Sequence, residues 1–404
     1  MADYEKVSNV ASDDIEKVNN IAKSSIEKIN GLTTPSGTTT ATRWVVATQN
    51  GYIAYAANSD LTSWTSYDGF NESDSPVVNQ NQGDSESIAF GKNASGADIY
   101  LATRAQQKPQ DNSGSGSRIR ELTISGTDVT SNGEWTNIDV DSNTGSKNVV
   151  MEILWGARSD GTAAGTWVAV GKQGTGDIFR STDGGSSFSA VDISGLSGHQ
   201  SGNVNQPYIN GVASDGQGNW MFAQANRIYY STDDAASWAV STPFDSPAPG
   251  RGQALVYTNS TWVYIYSESS NVRIRSCAAS DITDWTDTQV DASNVNHQAN
   301  NGNNVKAVAA GGTVCIASEK GSVINYFTVS GKTVGTVNEV SGFSLIRGLA
   351  TDGTKWVAAC DDGDLYEAAT TDLSSWTQRL DGFQADGSSE LDFEAVCANV
   401  TYPL

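Results

Sequence analysis

The chain is poor in positive charge: among 404 residues, 24 Lys and Arg stand against 46 Asp and Glu, a formal net charge of −22. Nucleic acids are bound by neutralising phosphates with Lys and Arg, so this balance argues against a nucleic-acid partner and favours solubility instead. Only four cysteines occur, Cys277, Cys315, Cys360 and Cys397, none in CxxC spacing, so free buried thiols are expected in place of a zinc site. The acidic run Asp361, Asp362 and Asp364 lacks the Asp-x-Asp-x-Asp-Gly spacing of an EF-hand, and neither a metal nor a cofactor is expected. No continuous apolar run is present, so neither a signal peptide nor a membrane span is expected. Helical periodicity is missing after residue 40.

What is there is a tryptophan-anchored repeat. Its clearest copy runs from Trp220 to Trp238, and relatives begin at Trp44, Trp167, Trp262 and Trp356. Alternating Val, Ala, Ile and Tyr put an apolar residue on one face at every second position, the period of a strand. Asn50-Gly51, Lys320-Gly321 and Asp362-Gly363 supply turn chemistry between strands. Before each Trp strand comes another with a polar, a small and an aliphatic residue. Its copies are Glu86-Ser87-Ile88, Met151-Glu152-Ile153, Asn210-Gly211-Val212, Gln253-Ala254-Leu255, Lys306-Ala307-Val308, Arg347-Gly348-Leu349 and Glu394-Ala395-Val396.

The two ends of this pattern are complementary. The strand at Trp44 has no small-residue strand before it, and the strand at Glu394 has no Trp strand after it. A ring of four-stranded sheets closes in this way, the C-terminal strand completing the N-terminal blade so that no edge is left open. Residues 38–404 divided among seven give about 52 apiece, near the length of four-stranded propeller repeats. The expectation is an all-β, seven-bladed propeller over residues 43–404.

Two turns carry a sharper signature. Ser181-Thr182-Asp183-Gly184-Gly185-Ser186-Ser187-Phe188 fits S-x-D-x-G-x-x-[WF], and the segment from Ser231 through Asp233 to Trp238 fits it apart from alanine where glycine would stand. These resemble the Asp-box (BNR repeat) of sialidase-like propellers, in which the carboxylate ties down its own turn and the aromatic packs beneath it. Ser181, Asp183, Gly185, Phe188, Ser231, Asp233 and Trp238 are therefore expected to be structural. Looser variants lie at Asp60, Asp281 and Asp372. The family includes sialidases and other glycoside hydrolases, but where sialidases carry a Phe-Arg-Ile-Pro element this chain has Arg43-Trp44-Val45-Val46. A glycosidase needs two carboxylates, for which Glu86, Glu152 and Glu394 are candidates. Beside Lys306 and Arg347 they read more simply as the charged lining of a wet channel.

The N-terminus is different. Tyr4, Val7, Ala11, Ile15, Val18, Ala22, Ile26 and Ile29 recur in steps of three and four with an 11-residue repeat, which predicts a helix over residues 1–32 that needs a partner to cover its stripe. Gly31 and Pro35 end it, and residues 33–42 form a polar linker. The repeats Glu5-Lys6-Val7-Ser8-Asn9, Glu16-Lys17-Val18-Asn19-Asn20 and Glu27-Lys28-Ile29-Asn30, followed by Gly31-Leu32-Thr33-Thr34-Pro35-Ser36, resemble the N-terminal segments of virion structural proteins in tailed phages of marine cyanobacteria. That resemblance implies attachment to other virion proteins, or self-association, through the helix.

On this reading the chain is a non-enzymatic virion component, assembled in the host cytoplasm and displaying its propeller for decoration or recognition of a host-surface glycan. A carbohydrate-active propeller enzyme and a cellular assembly factor are the alternatives. Long polar loops at 71–85, 139–148, 195–208, 291–304 and 381–391 enter the innermost strands, and a further insertion at 106–117 reaches the same face. Loops on a rigid scaffold are where recognition residues sit. His199, Asn205, Tyr208, Asn210, Gln253, His297, Lys306, Arg347 and Glu394 are the candidate ligand-binding residues.

Overall fold

The computed structural model describes residues 42–48, 52–67, 87–104, 117–125, 128–131, 136–138, 149–172, 178–197, 209–224, 227–243, 253–268, 271–290, 305–318, 322–384, 391–401 and 403, with a few residues near the N-terminus. Met1–Thr39 forms a compact unit separate from Thr40–Leu404. In the first unit two short antiparallel ladders are described, Lys17–Val18 with Ile21–Ala22 and Lys28–Ile29 with Leu32–Thr33. The expected helix otherwise lies outside the described residues.

The second unit is a seven-bladed propeller, each blade an antiparallel sheet running from an innermost to an outermost strand. The innermost strands are Phe393–Ala398 (blade 1), Ile88–Lys92 (blade 2), Val149–Gly156 (blade 3), Ile209–Ser214 (blade 4), Gln253–Thr258 (blade 5), Val305–Ala310 (blade 6) and Ile346–Thr351 (blade 7). Each packs against the next, and the last meets the first. In blades 2 and 6 the outermost position is shared by two short segments.

Closure occurs as the orphan strands require. Phe393 pairs with Thr48, Val396 with Val46 and Ala398 with Trp44, so blade 1 is built from both ends of the domain. The Asn399 side-chain oxygen accepts from the backbone N–H of Thr42 and of Arg43, each at 2.8 Å, and fastens the seam. Trp44, Trp167, Trp220, Trp262 and Trp356 are fully buried between blades, which is why the repeat is anchored on tryptophan: a blade must fill a wedge-shaped gap against its neighbour.

The outer turns are tied by their own carboxylates. Asp183 accepts from Ser187 N at 3.0 Å and Ser181 Oγ at 2.7 Å, and Asp233 accepts from Ser237 N at 2.9 Å and Ser231 Oγ at 2.7 Å. Burial alone would raise both acids, but these hydrogen bonds outweigh it and hold them below the ordinary carboxylate value. Asp234 and Ala235 take the left-handed backbone that Gly184 and Gly185 supply in blade 3. The looser turns do the same work differently: Asp60, Asp281 and Asp372 each accept from the N–H two residues on, and Trp64, Trp285 and Trp376 each donate to the carbonyl three residues back. Asp183→Ala should therefore cost about 1–2 kcal/mol, read as a lower urea midpoint, with near-UV circular dichroism intact.

Candidate functional site

The polar, small, aliphatic triplet of each innermost strand has a physical reason. Neighbouring innermost strands converge toward the axis, and the small residue faces the backbone N–H of the aliphatic residue one blade on. A Cβ on Gly211 would lie 2.8 Å from Leu255 N, and one on Gly348 would lie 2.9 Å from Val396 N. In blade 2 the same position is Ser87, whose Oγ accepts from Ile153 N at 3.3 Å. In blade 3 it is Glu152, whose Oε2 accepts from Val212 N at 3.2 Å.

Glu152 is thus a carboxyl at a position that the other blades fill with Ser, Gly or Ala. Ser87 performs the hydrogen bond without a charge, so holding the neighbouring strand does not explain a glutamate there. Glu152 lies partly exposed to a central lumen of about 180 Å³, lined also by Ser87, Lys306, Arg347 and Glu394. Desolvation pushes its carboxyl up from 4.5 to about 7, against the opposing pull of the Lys306 charge and of the Val212 and Gly211 N–H groups. A carboxyl poised there exchanges protons at neutral pH, as a general acid or base must.

Bulges aim the other charges. The register of the innermost strand slips between Ile346 and Gly348, and again between Phe393 and Ala395, so Arg347 and Glu394 are the extra residues of two bulges. Met151 is the corresponding extra residue beside Glu152, and blade 4 slips between Ile209 and Val212. A bulge turns a side chain out of the sheet alternation, and here it does so at the rim of the lumen. Arg347 Nη2 stands 3.8 Å from Asp361 Oδ2. Burial raises Asp361, Arg347 opposes the rise, and Asp362 adds to it.

Of the residues expected from sequence, Lys306, Arg347 and Glu394 come together around the lumen. Asn210 and Gln253 lie on innermost strands, in Ile209–Ser214 and Gln253–Thr258. His199, Asn205, Tyr208 and His297 lie outside the described residues. Ser87 was absent from the expected site, Glu152 was expected only as a candidate carboxylate read as channel lining, and Glu86 lies outside the described residues. The signal for Glu152 was in the sequence: it is the one charged residue in the small position of the triplet. Among the described residues no group of three or more His, Cys, Asp or Glu could hold a metal ion. All four cysteines are buried free thiols pushed well above their ordinary value, chiefly by desolvation, and so are poor nucleophiles.

Gly211 supports the site directly. Its φ of 107° is closed to residues with a side chain, and a Cβ would strike blade 5. Gly211→Ala should displace the Val212 N–H from Glu152 and raise the Glu152 carboxyl further. Carboxyl NMR titration checks this; a Glu152 midpoint that does not move, or moves down, would contradict the arrangement.

No family model matches the chain, and no curated protein matches it in sequence. Its fold is similar to a putative 6-phosphogluconolactonase from Bacteroides uniformis (TM-score 0.55, 12% identity), covering 88% of this chain and 99% of that one. It is similar also to the periplasmic gluconolactonase of Pseudomonas aeruginosa (TM-score 0.54, 13% identity), covering 87% and 99%. A putative 6-phosphogluconolactonase from Bacteroides fragilis is comparable (TM-score 0.52, 14% identity), covering 90% and 99%. At such identity the likeness carries the fold. The expectation of a non-enzymatic virion display protein is nevertheless contradicted by these neighbours, which bear the names of lactonases. Loop composition and the N-terminal repeat misled because neither reports on what the innermost strands gather around the lumen.

Proposed function

We propose that the propeller is a hydrolase that opens a lactone ring at its central lumen, with Glu152 as the proton-transferring group and Lys306 and Arg347 as the electrostatic support. The observation that carries this reading is Glu152 itself, a carboxyl with a value near 7 in a position where the fold asks only for a small residue. The lactonase names of the similar folds indicate the reaction class.

The ionised Glu152 takes a proton from a water molecule as its oxygen adds to the lactone carbonyl carbon. The carbonyl π pair moves onto oxygen, and Lys306 and Arg347 stabilise the resulting oxyanion. Collapse of that intermediate breaks the ring C–O bond, and Glu152 returns its proton to the departing alkoxide. The product is a hydroxy acid, and the enzyme is restored. Glu394 balances the two cations, so that the lumen does not trap its anionic product.

A pH-stat assay of acid release from glucono-δ-lactone and γ-butyrolactone tests the reading. Wild-type protein should exceed the spontaneous rate on at least one of them, and Lys306→Met should lower kcat/KM by about tenfold to a hundredfold. Rates indistinguishable from the buffer blank on both would overturn it. The turns at Asp183 and Asp233 are read as Asp-boxes on their carboxylate contacts, and residues 1–32 and 33–42 as an N-terminal segment and linker preceding the 43–404 propeller.

A further inference from the structure

The lumen changes character with depth. At the rim stand Ser87, Glu152, Lys306, Arg347 and Glu394, and two residues further along the same strands come Leu154, Val308, Leu349 and Val396, all of them lining the cavity. Two residues along a regular strand is about 6.6 Å, and the bulges at Arg347 and Glu394 shorten that step in blades 7 and 1, leaving a separation of the order of a lactone ring. Leu154 and Leu349 are half-buried, each packed on one side against an inter-blade core and lining the lumen on the other, while Val308 and Val396 are mostly buried and show only a margin to it.

A polyhydroxylated arm entering this tier would exchange water for aliphatic contacts, leaving hydroxyls without partners. An alkyl arm would exchange water for a surface that already excludes it. We infer that the substrate is a lactone bearing an aliphatic arm, its ring held among the rim charges and its arm inserted between Leu154, Val308, Leu349 and Val396. This rests on the hydrolase reading above and departs from the sugar lactones that the similar folds are named for.

The test is a kcat/KM series on wild-type protein with γ-butyrolactone, γ-hexalactone, γ-octalactone, γ-decalactone and glucono-δ-lactone. Each buried methylene is worth about fourfold, so kcat/KM should climb three- to fourfold per methylene until the tier is full, and glucono-δ-lactone should fall below γ-octalactone. Leu349→Asn should flatten the climb. A flat series, or a preference for glucono-δ-lactone, overturns the inference and leaves the hydrolase reading standing. If no lactone is turned over, the hydrolase reading fails, and calorimetric binding of octanoate against acetate still decides the inference. Tighter octanoate, weakened by Leu349→Asn, supports the tier, and equal affinities overturn it.

Discussion

Deletion of residues 393–404 should abolish cooperative unfolding, leaving a protein that binds a hydrophobic dye and aggregates. The deleted strand is the innermost one of blade 1, and its loss uncovers the edge of Arg43–Thr48, which it pairs from Phe393 to Ala398. It removes Phe393, Val396, Ala398 and Val400 from a core shared with Trp44, Val46, Val357 and Leu365 of blades 1 and 7. Removing one buried phenylalanine alone costs about 3–5 kcal/mol, and the strand supplies several more buried side chains. The total is comparable to the 5–15 kcal/mol by which a native protein is stable. Adding residues 391–404 back as a separate peptide should restore part of the cooperative transition, because the seam is held by strand pairing and by the Asn399 contacts with Thr42 and Arg43. A truncated protein with an unchanged melting temperature would mean that the ring does not close through this strand.

Glu152→Gln carries the second large effect, and its two parts point in opposite directions. Turnover should fall by about 10²–10⁴, the usual contribution of a general acid or base. Stability should rise. In the folded chain the carboxyl titrates near 7 instead of 4.5, so the folded state binds more protons than the unfolded state between those values. The linkage penalty is therefore absent below about pH 4.5, accumulates as pH rises through 7, and is full above it. The shift corresponds to about 3 kcal/mol, reduced to about 2 because water in the lumen screens the charge. For a domain of this size that is a rise of roughly 2–3 °C in melting temperature at pH 8, vanishing at pH 4.5. Glu152→Ser, which copies the arrangement at Ser87, should keep the fold and lose activity. A residue that stabilises when removed and disables when removed is kept for its chemistry.

The ring was legible because its causes are local and repeated. A period of two marks each strand, tryptophan marks the second strand of five blades, and the unmatched strands at Trp44 and Glu394 announce the closure. The rim was legible in part, since Lys306, Arg347 and Glu394 occupy the polar position of the triplet and line the lumen, Arg347 and Glu394 as the extra residues of bulges and Lys306 from a regular strand. Glu152 was legible as a channel-lining carboxylate, but grouping it with Glu86 and Glu394 of the polar position hid that it is an acid in the small one. Its raised carboxyl could not be read from sequence at all, because desolvation comes from strands of other blades brought around it by closure. The loops with His199, Tyr208 and His297 attracted attention by composition, but composition marks a surface that can bind and says nothing of the charges gathered around the lumen.

The most direct test of Glu152 as the group that moves the proton is the pH dependence of kcat/KM for lactone opening, measured from pH 5 to 9 in wild-type protein and in Glu152→Gln. The wild-type rate should rise through a midpoint near 7 and level off, as a base that must be ionised requires, and the limb should be gone from the variant along with most of the rate. A limb that survives the substitution, or a variant as active as the wild type, would show that the proton is carried by another group.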